Sequence, residues 1–411
     1  MTARPDTSEV TRAGPGFMEF VALMALLFST IAFSIDAMLP ALPRIGADLA
    51  PEAPAQAQLV VTVFVLGMGL GTLLCGPVSD AVGRKPVMLW GMALFVAAAI
   101  VAAQAQSIDT LLAARFVQGL GAAGPRVVAL AMVRDRYQGR RMAQVVSIVM
   151  TLFILVPAIA PSIGAGLIWV WDWRALFYAF VAFGAVAALW LGLRQPETLT
   201  PEARRPLRPG TLARAVAEVL GNRVVLVYTA VLALAFGSMF TWLSSAPLIF
   251  DEVFDRASSF PFWFAGLALI AGTSNILNAR LVMRLGMRRL ATTAFAAQFG
   301  ASVVVIAVFR LGLPAPWDFA VFFAYLCAVF FSLGLTFGNL NALALQPLGH
   351  IAGTGAAVIG SLHTVLAVGV AVPISLAYDG SPLPAMLGTL TCVGLSLGLM
   401  LVARRIDTSD G

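Results

Sequence analysis

The sequence predicts an all-α membrane protein of twelve transmembrane helices, set out as two six-helix halves with both termini cytoplasmic. Three observations carry this expectation. The chain of 411 residues is 60% hydrophobic and only 11% charged, where a soluble protein carries about 25% charged residues. Twelve apolar runs are each long enough to cross a hydrocarbon layer about 30 Å thick, and in lipid a helix satisfies its own backbone. The basic residues are also asymmetric. With Met1 in the cytoplasm, twenty of the 26 Lys and Arg fall in cytoplasmic tails and loops; Arg44, Arg174, Arg256 and Arg310 lie outside, and Arg115 and Arg126 lie within spans. This positive-inside bias accounts for the net charge of +6 without a nucleic-acid partner.

The runs cover 17–39, 57–77, 87–107, 110–133, 142–168, 175–193, 223–246, 261–280, 289–309, 317–339, 351–377 and 384–403. Residues 1–16 read as a cytoplasmic tail; they show no signal-peptide pattern and are expected to be retained. The first half is 17–193, and 194–222 is a cytoplasmic linker bearing Pro196, Pro201, Pro206, Pro209 and several Arg. The second half is 223–403 and a second cytoplasmic tail covers 404–411. The halves echo one another: Gly76 to Pro86 lies between spans two and three, and Asn278 to Arg289 between spans eight and nine, both joining a turn glycine to clustered cations. Internal symmetry of this kind marks secondary transporters that bind substrate near the bilayer midplane.

Span one strands Asp36 inside an apolar run, where an ionised Asp costs roughly 2.5 to 3.5 kcal/mol on insertion scales. Its default reading is a proton or cation site. After span two, Gly83 permits a tight turn, Asp80 can latch a helix N-terminus or a neighbouring Arg, and Arg84 and Lys85 can anchor to headgroups or helix ends. Span four carries Arg115 at about the depth of Asp36. A nearby guanidinium favours the ionised acid and apolar burial the neutral one, so the pair reads as a switchable proton-coupling site; the alternative is an Arg that snorkels or clasps two helices. Gly119, Gly121 and Gly124 formally match a dinucleotide fingerprint, yet inside an apolar span they read as small residues for close helix approach. Arg126 falls near the face of Arg115, roughly 16 Å further along the helix. It either faces the cavity or pairs near the cytoplasmic gate. In span five, Pro157, Ala160, Pro161 and Gly164 combine kinks with small residues and read as a pivot.

Gly76-x-x-x-Asp80-x-x-Gly83-Arg84-Lys85, Arg115-x-x-Gln118-Gly119 and Ala160-Pro161-x-x-Gly164 resemble the loop, span-four and antiporter motifs of the drug/proton antiporter branch of the major facilitator superfamily. The chain is most similar to the Bcr/CflA-like multidrug efflux transporters, through Ser34-Ile-Asp36-Ala-Met-Leu-Pro40, Val133-Arg134-Asp135, Trp173-Arg174-Ala-Leu-Phe177 and Gly353-Thr-Gly-Ala-Ala357. The resemblance implies the major facilitator fold and alternating-access export, with Asp36 protonated from outside and deprotonated inside and Arg115 tuning that step. It also departs from the pattern: Phe28 stands where some relatives carry a second carboxylate, and Ala160 where a glycine is usual.

In the second half, Phe236, Phe240 and Ser244 share a face of span seven and are candidates, with Gln118 and Asn341, to line a substrate cavity. Asn275, Asn278, Asn339 and His363 read first as interhelical glue. Two histidines, the single lysine Lys85, and the absence of His-Glu-x-x-His and Gly-x-Ser-x-Gly speak against an enzyme or ATPase. Cys75, Cys327 and Cys392 lie in or beside apolar spans, which favours packing over disulfides or metal. The expectation is therefore a proton-coupled exporter of amphipathic small molecules in a bacterial inner membrane, functional as a monomer and without cofactor or metal. Its rival is a proton-coupled exporter or symporter of a specific metabolite, sugar or siderophore.

Overall fold

Each predicted apolar run holds one long α-helix in the computed structural model, which describes residues 14–207 and 209–407. Most of the expected 1–16 tail, and the end of the 404–411 tail, lie outside the described residues. The helices are α1 (Phe17–Asp36), α2 (Leu42–Leu49), α3 (Leu59–Val82), α4 (Arg84–Ala103), α5 (Ile108–Arg136), α6 (Gly139–Val170) and α7 (Arg174–Arg194), then α8 (Pro209–Gly221), α9 (Arg223–Leu248), α10 (Phe260–Leu285), α11 (Met287–Leu311), α12 (Trp317–Leu345), α13 (Ala352–Leu376) and α14 (Leu383–Ile406). Among the described residues, 11 stretches are long and apolar enough to cross a membrane. One of them, Trp317–Leu376, is 60 residues in which α12 and α13 are joined by the 3-10 turn Gln346–Ile351.

Three features differ from expectation. The first apolar run does not stop at residue 39: α1 ends at Asp36, a 3-10 turn follows at Leu39–Ala41, and α2 carries the path on to Leu49. Pro40 and Pro43 explain the break, since neither can donate the hydrogen bond of a continuous helix. Asp36 therefore lies at a helix end in the interior of a stretch of 33 residues, Phe17–Leu49. The expected loop between spans two and three is almost entirely helical; Gly83 alone, at φ +124°, separates α3 from α4. The linker contains a helix, α8, because Leu212, Val216 and Val219 recur at helical spacing and pack on the C-terminal helices.

In the N-terminal group α3 packs on α5, α4 on α5 and α7, and α1 on α6; in the C-terminal group α9 packs on α12, α13 and α14. The α3–α5 contact is made at backbone distance, with Gly67 against the Phe116 carbonyl and Gly119 against the Phe64 carbonyl. The two groups meet where α3 runs along α13 and α6 along α10. Both described termini and the linker gather at one end, which we call the linker end: Arg136 donates to the Pro15 carbonyl at 2.6 Å, and Tyr228 in the other group donates to Asp407 at 2.8 Å. At the opposite, distal end, α2 packs on α9 and the Ser245 hydroxyl donates to Gln58 Oε1 at 2.6 Å, tying the groups together.

Candidate functional site

Asp36 is 5% exposed, and among the described residues its carboxylate has no hydrogen bond or ion pair. The end of α1 is held by α6, where Gly164 sits against the Ala37 carbonyl so closely that no Cβ would fit. Ala160 and Pro161 beside it are buried, while Pro157 is half-buried inside the same helix. The span-five motif thus bears directly on the residue after the acid.

Arg115 is fully buried and does not pair with Asp36. Its Nε donates to the Val60 carbonyl at 3.1 Å, one Nη to Gln118 Oε1 at 2.7 Å and the other to the Ser34 carbonyl at 3.2 Å. The guanidinium also lies 4.3 Å over the Phe64 ring. It clasps α1, α3 and α5 together, gripping α1 at the Ser34 carbonyl two residues before Asp36. Gln118 is wholly buried and its Nε2 has no partner.

At the linker end, Arg84 donates to Ser79 at 2.7 Å, to Asp135 at 3.1 Å, and to Asp80. Asp80 is therefore engaged with the neighbouring Arg of its own group. The Glu197 carboxylate accepts the backbone N–H groups of Arg84 and Lys85 at 3.0 Å each, capping the start of α4, and Lys85 Nζ donates to the Gly192 carbonyl at 2.8 Å. Lys85 thus reaches the end of α7, whereas the Arg84 guanidinium is held by side chains of α3 and α5. Gly76 lies within α3 upstream of this cluster.

Arg126 is exposed although it sits within α5 between buried neighbours. Its Nη1 is 3.8 Å from Met68 Sδ, and the next residue of α3, Gly69, lies against Thr364 of α13, which follows His363. His363 lies 5.0 Å from the Phe236 ring, which in turn lies 4.6 Å from Phe337 and 5.8 Å from Phe240. These side chains come from α3, α5, α9, α12 and α13 and gather where the two helix groups meet, with Phe236 and Phe337 forming an aromatic wall. Of the cavity candidates, Phe236 is half-buried and stands in this wall; Phe240 lies behind it at 4% exposure, and Ser244 is wholly enclosed with an unpartnered hydroxyl. Asn341 donates to the Phe337 carbonyl of its own helix at 3.0 Å.

The family model for the Major Facilitator Superfamily matches residues 23–372. The chain belongs to the major facilitator superfamily. It is a multi-pass membrane transporter of small-molecule substrates, not an enzyme. Among curated relatives it is 30% identical to a bicyclomycin resistance protein homolog of Haemophilus influenzae over 84% of this chain and 85% of the relative. It is 31% identical to the multidrug resistance protein MdtL of Salmonella heidelberg over 79% of this chain and 80% of that one. These relatives support the resemblance to the Bcr/CflA-like drug/proton antiporter branch. Among solved structures, a D-xylose-proton symporter aligns with TM-score 0.73 at 14% identity over 93% of this chain and 97% of its own. The human organic anion transporter MFSD10 aligns with TM-score 0.67 at 20% identity, over 95% and 99%. At such identities the likeness establishes the fold alone, and it is the major facilitator fold.

Sequence reasoning missed Glu197, Asp135 as the partner of Arg84, the Gln58–Ser245 bond and Phe64 beneath Arg115. Glu197 had a usable signal, as an acid within a strongly basic linker that immediately follows span six. The others pair residues far apart in sequence and had none.

Proposed function

We propose that this major facilitator transporter exports amphipathic small molecules in exchange for protons, with Asp36 as the proton-coupling group and Arg115 setting its local field. The observation that carries the reading is a lone, buried carboxylate at a helix break, flanked by a clasped guanidinium and by the Gly164 contact of α6. Such a group persists in a membrane where it serves transport. The relatives' names, bicyclomycin and multidrug resistance, favour drugs as substrates. We take α12 and α13 as two crossings, giving twelve spans, with the linker end cytoplasmic as the positive-inside bias requires. On this reading 17–193 and 223–403 are the rocking halves, 194–222 the cytoplasmic linker, and the host membrane a bacterial inner membrane in which one chain suffices. Asp80, Gly83, Arg84 and Lys85 form the cytoplasmic gate region, and the Pro157 to Gly164 segment is the pivot. The Gln58–Ser245 bond at the distal end and the Asp80–Arg84 pairing within one half fit a state closed to the outside. Substrate and proton each favour opposite access states, and that differential produces exchange.

A second reading, export or symport of a specific metabolite, is favoured by one feature, the unpaired Arg126 in the cleft. Imposing a pH gradient across proteoliposomes and following the uphill direction of an aromatic drug probe separates the two. Movement against the inward flow of protons supports exchange, and movement with it refutes exchange.

A further inference from the structure

We propose that Arg126 anchors an anion subsite in the central cleft, so that the preferred substrate joins a carboxylate or similar anionic head to an aromatic or apolar body. This rests on reading the cleft as the substrate path. Arg126 is exposed, yet what it is exposed to is not lipid. Its hydrogen-bond partner among the described residues, Met68 Sδ at 3.8 Å, belongs to an α3 residue that is 4% exposed. The next residue of α3, Gly69, lies against Thr364 of α13, which follows the buried His363. Since α3 and α13 pack together between the two helix groups, the space in front of Arg126 lies inside the bundle.

A thioether is a weak acceptor, and no carboxylate among the described residues pairs with Arg126. Arg115 on the same helix shows the contrast, since each of its nitrogens has an oxygen acceptor. An unsatisfied guanidinium inside a membrane bundle is expensive and marks a substrate or ion pathway. A second, independent feature faces the same space. His363 is 5% exposed, its Nδ1 has no hydrogen-bond partner, and its ring continues into Phe236 and Phe337 at 5.0 and 6.4 Å. A cation, an unpaired imidazole nitrogen and an aromatic wall, in that order, match a flat apolar molecule with a negative head. The charge balance agrees, because Arg115 and Arg126 outnumber Asp36 within the N-terminal group. Arg126 lies roughly 16 Å along α5 from Arg115 at 1.5 Å per residue, so the anionic head and the proton on Asp36 occupy separate sites. They are coupled through the change of access state, not by competition for one group.

The test is equilibrium binding to the full-length protein in lipid nanodiscs, without any gradient. The probes share one ring system: naphthalene-2-carboxylate, its neutral carboxamide, and 2-naphthylmethylammonium. The carboxylate should bind about 10- to 100-fold more tightly than the amide, the range for charge-assisted hydrogen bonds to one guanidinium. Arg126→Gln should erase that margin; Arg126→Lys should keep part of it. Equal or tighter binding of the amide or the amine by the unaltered protein overturns the proposal, as does a margin that survives in Arg126→Gln. Should Arg126→Gln fail to fold by thermal melting, the ranking by the unaltered protein and by Arg126→Lys decides. Asp36→Asn should keep the ranking, so loss of proton-driven transport and loss of anion preference are read separately.

Discussion

The N-terminal and C-terminal groups of helices differ in what they bury. In its interior the N-terminal group holds three charged side chains, Asp36, Arg115 and Arg126, among helices that meet at backbone distance through Gly67, Gly119 and Gly164. Among its described residues the C-terminal group answers with His363 and paired rings, Phe236 against Phe337 and Trp242 against Tyr325. Charge inside a membrane needs a scaffold that cannot relax away from it, and glycine contacts at carbonyl distance supply one. Aromatic walls instead offer broad, sequence-tolerant contact. On the proposed function this difference is a division of labour, with the first group handling the proton and the second shaping the cleft.

The largest effect should come from removing the acid. Asp36→Asn keeps side-chain volume and the helix break while abolishing proton exchange, so uphill efflux from proteoliposomes should fall to background and downhill exchange of substrate should persist. Unchanged uphill efflux would break the comparison at its centre, because the N-terminal half would then have no coupling group.

Next in size is Arg115→Ala. It removes the hydrogen bonds to Val60, Ser34 and Gln118 and leaves a side-chain void among α1, α3 and α5, a loss of about 2–4 kcal/mol of stability. Thermal unfolding in nanodiscs measures it. Taking away the cation held two residues before the acid on α1 also makes the ionised form harder to reach, so the pH profile of transport should move to higher pH. A stability loss with an unmoved profile would reduce Arg115 to a clasp.

Much of this was legible beforehand, for identifiable reasons. Apolar runs locate helices because lipid forbids unpaired backbone, and the turn glycine with its cations was readable because Gly83 adopts a φ that side chains avoid. The break after Asp36 was written in Pro40 and Pro43, but a continuous apolar pattern concealed it. The partners of Arg115 were not legible, since two of them are backbone carbonyls, which carry no residue identity. Nor was the engagement of Asp135 with Arg84, which depends on how α3, α4 and α5 converge.

A smaller effect sharpens the comparison at the linker end. Gly83→Ala forces a side chain into φ +124° and brings its Cβ to 2.6 Å from Glu197 Oε2; strained backbone of this kind costs roughly 1–3 kcal/mol. Limited proteolysis within 195–205 should quicken, and transport should slow. Gly286, the counterpart between α10 and α11, also has a positive φ, 77°, so Gly286→Ala should show strain without loosening the linker. Equal proteolysis of both variants would mean that the Glu197 cap does not hold the linker against the N-terminal half.

The smallest effect lies wholly in the C-terminal half. Asn339 donates to Asn278 Oδ1 at 2.7 Å, joining α12 to α10. Interhelical bonds of this type in membranes are worth about 0.6 kcal/mol, rarely more than roughly 1.7, because the separated helices find other partners. Asn339→Leu should therefore lower the unfolding temperature slightly and leave both the pH profile and the substrate ranking in place. If that single amide instead altered the pH profile, proton handling would extend across both halves, and the division drawn between them would have to be given up.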